Sequence, residues 1–113
     1  ALAVKWTVEN ITQYGGNADN IFLMGHSAGA HIAALVAYDE RYLQNIGLSN
    51  RALRGFIGFA GPYDFLPVSP DDVRSIAALG AIETYPDTQP INFVDGADPP
   101  AFLAVSPNDT TVN

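Results

Sequence analysis

The stretch Met24-Gly25-His26-Ser27-Ala28-Gly29-Ala30-His31 sets a serine between two glycines, after an apolar run and before an alanine-rich one. A hydroxyl in this setting suits nucleophilic catalysis. A strand, a sharp turn and a helix carry Ser27 Oγ to an exposed tip, and the N–H of Ala28 opens the helix toward a developing oxyanion. The helix N-terminus adds positive potential at the same spot. The competing reading is a helix N-cap serine in a glycine-flanked turn. A nucleophilic serine also needs a base, and the chain has two histidines, both inside this stretch. His26 is adjacent to Ser27, so at a sharp turn it points away and packs beside it. His31 lies one helical turn further along the same face and is expected to pack and hydrogen-bond behind the turn. As a metal pair the two fail, because a separation of five residues puts them on different faces.

The elements around the serine follow from hydrophobic period and punctuation. Residues 1–14 read as a helix, with Ala1, Val4, Val8 and Ile11 at helical spacing, and Gly15 or Gly16 supplies a left-handed stop. Residues 20–25 form a short, continuously apolar run whose length favours a buried strand. Residues 27–41 are helical and apolar nearly all round, as in a helix buried against a close neighbour. Residues 45–50 are a loop and residues 52–61 a second strand-like run. Residues 62–100 carry prolines at 62, 67, 70, 86, 90, 99 and 100. They read as ordered loop with one short helix at 71–80, Ser69 or Asp71 near its start and Gly80 after it. Residues 101–106 are a third strand, and residues 107–113 a loop at its carboxyl end. Helix and strand alternate, which implies an α/β fold with three parallel strands and flanking helices. Three unprotected strands make a poor stand-alone sheet, so the exposed edges invite self-association or continuation of the sheet.

Composition narrows the function classes. Hydrophobic residues make up 48% of the chain and charged residues 15%, too apolar for disorder. No apolar run approaches the roughly 20 residues of a transmembrane helix. Twelve acidic residues against five Lys and Arg give a formal net charge of −7. Such a chain lacks the cations that bind nucleic acid or an anionic membrane surface. With no cysteine, disulfides and thiolate metal sites are excluded, and the compartment, cytoplasmic or secreted, stays open. Acyl transfer through a serine requires no metal or organic cofactor.

The run NITQYGGNADNIFLMGHSAGAHIAALVA resembles the nucleophile-turn region of α/β-hydrolase esterases, in the branch similar to hormone-sensitive lipase, feruloyl-esterase-like enzymes and arylformamidases. GFIGFAGPYDF (55–65) resembles the following strand and its turn. PINFVDGADPPAFLAVSPNDTTV (90–112) resembles the strand leading to the catalytic acid. The resemblance implies a partial α/β-hydrolase fold and a carboxylic ester hydrolase acting on small-molecule esters. It maps Ser27 to the nucleophile and Asp109 to the acid that orients the histidine. In the family that acid belongs to a HGxxDxxV stretch, and here Val105-Ser106 replaces its His-Gly. Independently of the family, Asp109 suits the role because it follows the carboxyl end of a strand, where catalytic groups of parallel sheets gather. Asp64 follows the middle strand at the same edge and reads as a turn-stabilising residue. The resemblance further implies that residues 1–113 are part of a single domain. Its earlier strands, with their glycine-rich oxyanion loop, and its catalytic histidine segment then lie outside these residues. The alternative is a non-catalytic structural or interaction fragment.

Overall fold

The computed structural model describes residues 1–80 and 82–112, with the side chains of residues 74, 82 and 83 set aside. Ala81, in the stretch expected as ordered loop, and Asn113, the last residue of the expected terminal loop, lie outside the described residues. Helix α1 spans Leu2–Asn10 and tightens into a 3-10 turn over Ile11–Tyr14. Gly15 ends it at φ +82°, the left-handed stop expected there. Strand β1 (Ile21–His26) leads through Ser27 into α2 (Ala28–Tyr38), followed by a single helical turn, α3 (Arg41–Gln44). Strand β2 (Leu53–Phe59), helix α4 (Val73–Leu79) and strand β3 (Ala101–Ala104) complete the order. The three strands form one parallel sheet in the order β1-β2-β3, the three-stranded α/β arrangement expected from the alternation.

The expected helix over 27–41 breaks at Asp39. This carboxylate is buried and accepts from the Arg41 backbone N–H at 3.1 Å, from Nε at 2.8 Å and from Nη2 at 2.7 Å. The fork holds Asp39 in an extended conformation and turns the chain into α3. It also keeps the Arg41 guanidinium firmly protonated, first through the hydrogen bonds to Asp39 and then through its charge. The same guanidinium lies 5.0 Å from the centre of the Phe93 ring, tying α3 to the segment before β3.

The core lies between α2 and one face of the sheet. Ala30, Ala34 and Ala37 are fully buried, and their small side chains let α2 settle onto Ile21, Leu53 and Phe56. Val4 brings α1 to the same core. Strand alternation sends Phe22, Met24, Phe59 and Phe102 to the other face. These remain exposed, Met24 by 70% and Phe102 by 60%. The sheet thus has one covered face and one open apolar face.

Residues 62–100 are more helical than expected. Two 3-10 segments, Ile82–Thr88 and Pro90–Phe93, join α4, whose N-cap is Asp72, with Ser69 and Asp71 just before it. Asp72 Oδ1 accepts from the Ser75 N–H at 3.1 Å. The turn after β2 is held from a distance. Buried Gln89 accepts from the Phe65 N–H at 2.8 Å through Oε1, and the Ile91 N–H donates to the Tyr63 carbonyl. Asp64, expected to stabilise this turn, is exposed and its side chain makes no hydrogen bond among the described residues.

Candidate active site

Ser27 sits at the junction of β1 and α2 with φ +54° and ψ −127°. A non-glycine residue with this backbone stores on the order of 1–3 kcal/mol of strain, and it persists only where its surroundings fix it. Three hydrogen bonds do so. The Ser27 N–H donates to the Phe59 carbonyl at 2.8 Å, and the Ser27 carbonyl accepts from Ala30 at 2.9 Å and His31 at 3.2 Å. The hydroxyl is not spent on a helix cap and makes no hydrogen bond among the described residues. The Ala28 N–H likewise has no acceptor among them, as the first amide of a helix should not.

Gly25 has a steric role at this turn. A Cβ built there would run into the Gly29 carbonyl and come within 2.6 Å of the Ala30 nitrogen, so strand and helix meet backbone to backbone. Gly25→Ala should therefore force β1 and α2 apart, with a loss on the order of 1–3 kcal/mol read from the midpoint of chemical denaturation. Gly29, the other flanking glycine, would leave a Cβ with nothing within 4 Å and imposes no such limit here. Room for close passage is thus needed on one side of the serine only. Near the end of β2 and in the turn after it, Gly58 and Gly61 make way for the Tyr63 hydroxyl, which folds back onto the strand. That hydroxyl is buried without a hydrogen-bond partner among the described residues, and its burial raises its pKa.

Asp109 lies in the loop after β3. Its Oδ1 accepts from the backbone N–H groups of Thr111 at 2.8 Å and Val112 at 3.0 Å. These two bonds, with a smaller contribution from His26, hold the carboxyl below the usual aspartate range. The loop starts in a turn in which the Asp109 N–H donates to the Ser106 carbonyl.

The two histidines differ. His31 is half-buried, its Nε2–H donates to the Thr88 carbonyl at 2.6 Å, and its ring meets Phe65 edge-on at 5.5 Å. It packs and is hydrogen-bonded, as expected, but it lines the space beside Ser27 rather than lying behind the turn. His26 does not pack: it is exposed. The reason is strand parity, since His26 falls in line with Phe22 and Met24 on the face that α2 leaves open.

A cavity of about 560 Å³ opens beside Ser27. All three strand ends contribute to it: Ser27 and Ala28 after β1, Pro62 and Phe65 after β2, and Thr111 and Val112 after β3. Val112 is the residue whose N–H holds Asp109, so the acid's loop and the serine line one space. Ile32, Val68 and Leu79 complete apolar walls. A second cavity, about 400 Å³, lies against Tyr38, Phe56, Tyr63 and Asp98 and does not touch Ser27. Burial there, with smaller contributions from Asp98 and Tyr63, pushes the Tyr38 hydroxyl up to about 12. Among the described residues no group of three or more His, Cys, Asp or Glu is placed to hold a metal ion. Nor is any described helix long and apolar enough to cross a membrane.

The model of the BD-FAE family matches residues 1–113, the whole sequence. The chain belongs to this family. The names of its relatives agree with the resemblance read from the motifs. The chain is 27% identical to the Mycobacterium tuberculosis protein named Probable carboxylic ester hydrolase LipM, over 97% of this chain and 29% of that protein. It is 28% identical to Esterase LipQ of the same organism, again over 97% of this chain and 29% of the relative. Over 54% of this chain and 15% of the relative it is 34% identical to the Arabidopsis thaliana protein named Isoprenylcysteine alpha-carbonyl methylesterase ICME. This BD-FAE chain thus spans less than a third of the length of these relatives. No solved structure matches it.

Sequence reasoning missed the walls of the cavity. Phe65, Leu79 and Ile32 come from three separate elements, and only folding brings them to the serine. Ile32 did leave a trace: it makes α2 apolar on a side that does not face the core, and it is 61% exposed.

Proposed function

We propose that these residues are the central part of a single-domain serine esterase that hydrolyses small-molecule carboxylic esters through an acyl-enzyme. The observation that carries this reading is Ser27 itself. It combines a strained backbone, an unengaged hydroxyl and a position at the mouth of a cavity built from three strand ends. In this mechanism Ser27 Oγ attacks the ester carbonyl while a histidine takes its proton. The negative oxygen of the tetrahedral intermediate turns to the Ala28 N–H at the start of α2. The alcohol leaves with the proton from the imidazolium, and water then cleaves the acyl-enzyme by the same route. Asp109 is the acid that holds the imidazole in its working tautomer. The proposed base comes from outside these residues, because His31 is committed to Thr88 and His26 sits on the open face of the sheet. Residues 1–113 by themselves are then inactive. The relatives named as esterases support the class of reaction.

An alkyl fluorophosphonate reacts with an activated serine and with few other groups. The full-length protein should gain one phosphonyl adduct, mapped by peptide mass to the segment holding Ser27. Absence of labelling in folded protein rejects the nucleophile. The open apolar face of the sheet favours a second reading, a non-catalytic module that associates through that face. Under that reading the probe leaves Ser27 unmodified.

A further inference from the structure

The cavity beside Ser27 has a character of its own. Its walls are Ile32 from α2, Phe65 and Val68 from the turn after β2, Leu79 from α4 and Val112 from the loop after β3. Among the described residues lining it there is no Lys or Arg; His31 and Asp72 also lie on its wall, the His31 ring donating to the Thr88 carbonyl. An anionic group entering this space meets no Lys or Arg to offset its lost hydration. An alkyl chain meets hydrocarbon on several sides. At about 560 Å³ the space lies within the usual range of small-molecule sites and exceeds what the reacting carboxyl group alone requires.

We infer that this cavity holds an uncharged alkyl chain of the ester, and that Ile32, Phe65 and Leu79 are the residues that set its length. The inference rests on the esterase reading and deepens it. Ile32 and Leu79 come from different helices, so each limits the space independently. Ile32 lies 61% exposed, which makes it the easier wall to alter without disturbing the core.

The test uses the full-length protein and two series of substrates, p-nitrophenyl esters of two to eight carbons and alkyl acetates of the same lengths. Whichever series shows the length dependence identifies the chain, acyl or alcohol, that enters the cavity. Each buried methylene is worth about fourfold in kcat/KM, so a rise of about sixteenfold from the two-carbon to the four-carbon member is expected. The p-nitrophenyl hemisuccinate, matched in length to the butyrate but anionic, should react at least about tenfold more slowly. Leu79→Trp and Ile32→Trp each fill the cavity and should flatten the rise with chain length. Should Leu79→Trp fail to fold, Ile32→Trp at its exposed position decides the matter alone. If Ser27→Ala is inactive while the folded tryptophan variants keep the parental length profile, the pocket assignment is wrong and the nucleophile stands. If Ser27→Ala retains activity, the esterase reading falls and the pocket assignment with it.

Discussion

Ser27→Ala should lower kcat for ester hydrolysis by the full-length protein by a factor on the order of 10⁴ to 10⁶. The size of the effect comes from what the hydroxyl does. Without it no acyl-enzyme forms, and the remaining catalysis is attack by water on an ester held near the Ala28 N–H. The substitution should leave the fold intact. Ser27 makes its hydrogen bonds through backbone atoms, to Phe59, Ala30 and His31, and alanine keeps all three. Alanine is also no worse than serine at positive φ, so the strain at the turn is unchanged. The check is initial-rate kinetics with p-nitrophenyl acetate, alongside circular dichroism of both proteins. A variant that retains more than about a hundredth of parental kcat assigns the chemistry elsewhere.

Asp109→Asn should cost on the order of 10⁴ in kcat with a much smaller change in KM. Asparagine is nearly the same shape and its side-chain oxygen can still accept from Thr111 and Val112, so the loop keeps its form. What changes is charge and tautomer. An amide does not stabilise an imidazolium, and it presents a donor where the histidine needs an acceptor. The pH dependence separates this role from a structural one. Because two backbone amides hold its pKa down, the Asp109 carboxyl stays ionised until the pH falls below the usual aspartate range. Its contribution is therefore present throughout the working pH range and is lost only below that range. The acid limb of kcat/KM in the parent protein should follow a single group near the histidine value of about 6.5. An acid limb centred below the usual aspartate range instead points to Asp109 protonation as the limiting event and removes the tautomer argument.

Much of this arrangement was legible in the residues. The apolar run before Ser27 and the alanines after it announced a strand and a helix, and these lie at Ile21–His26 and Ala28–Tyr38. Alternation of the elements gave the parallel sheet. What escaped was decided at a distance. Asp39, Glu40 and Arg41 look like a helix's solvated last turn, yet Asp39 is buried and folds Arg41 back upon itself. The turn after β2 depends on Gln89, twenty-four residues beyond Phe65, and no local pattern marks that partnership. His26 was expected to pack beside the turn because adjacent residues there point apart. Its exposure follows from which face of the sheet α2 covers, a property of the packing rather than of the motif. Of the two glycines that flank Ser27 in the motif, only Gly25 meets opposing backbone, and nothing in the motif tells the two apart.

The carboxyl ends of the strands are laced in sequence. Ser27 donates to Phe59 of β2, and the next residue, Ala60, held at φ +46°, donates to Ala104 of β3. The candidate nucleophile and the loop of the candidate acid are therefore joined through the middle strand and do not adjust separately. Damage to β2 loosens both at once, even where it lies far from any substrate. A population of variants sorted by ester cleavage would be sorted, in the same pass, by the integrity of the sheet. Losses at core positions such as Phe56 would then be indistinguishable from losses of chemistry until the fold itself was measured.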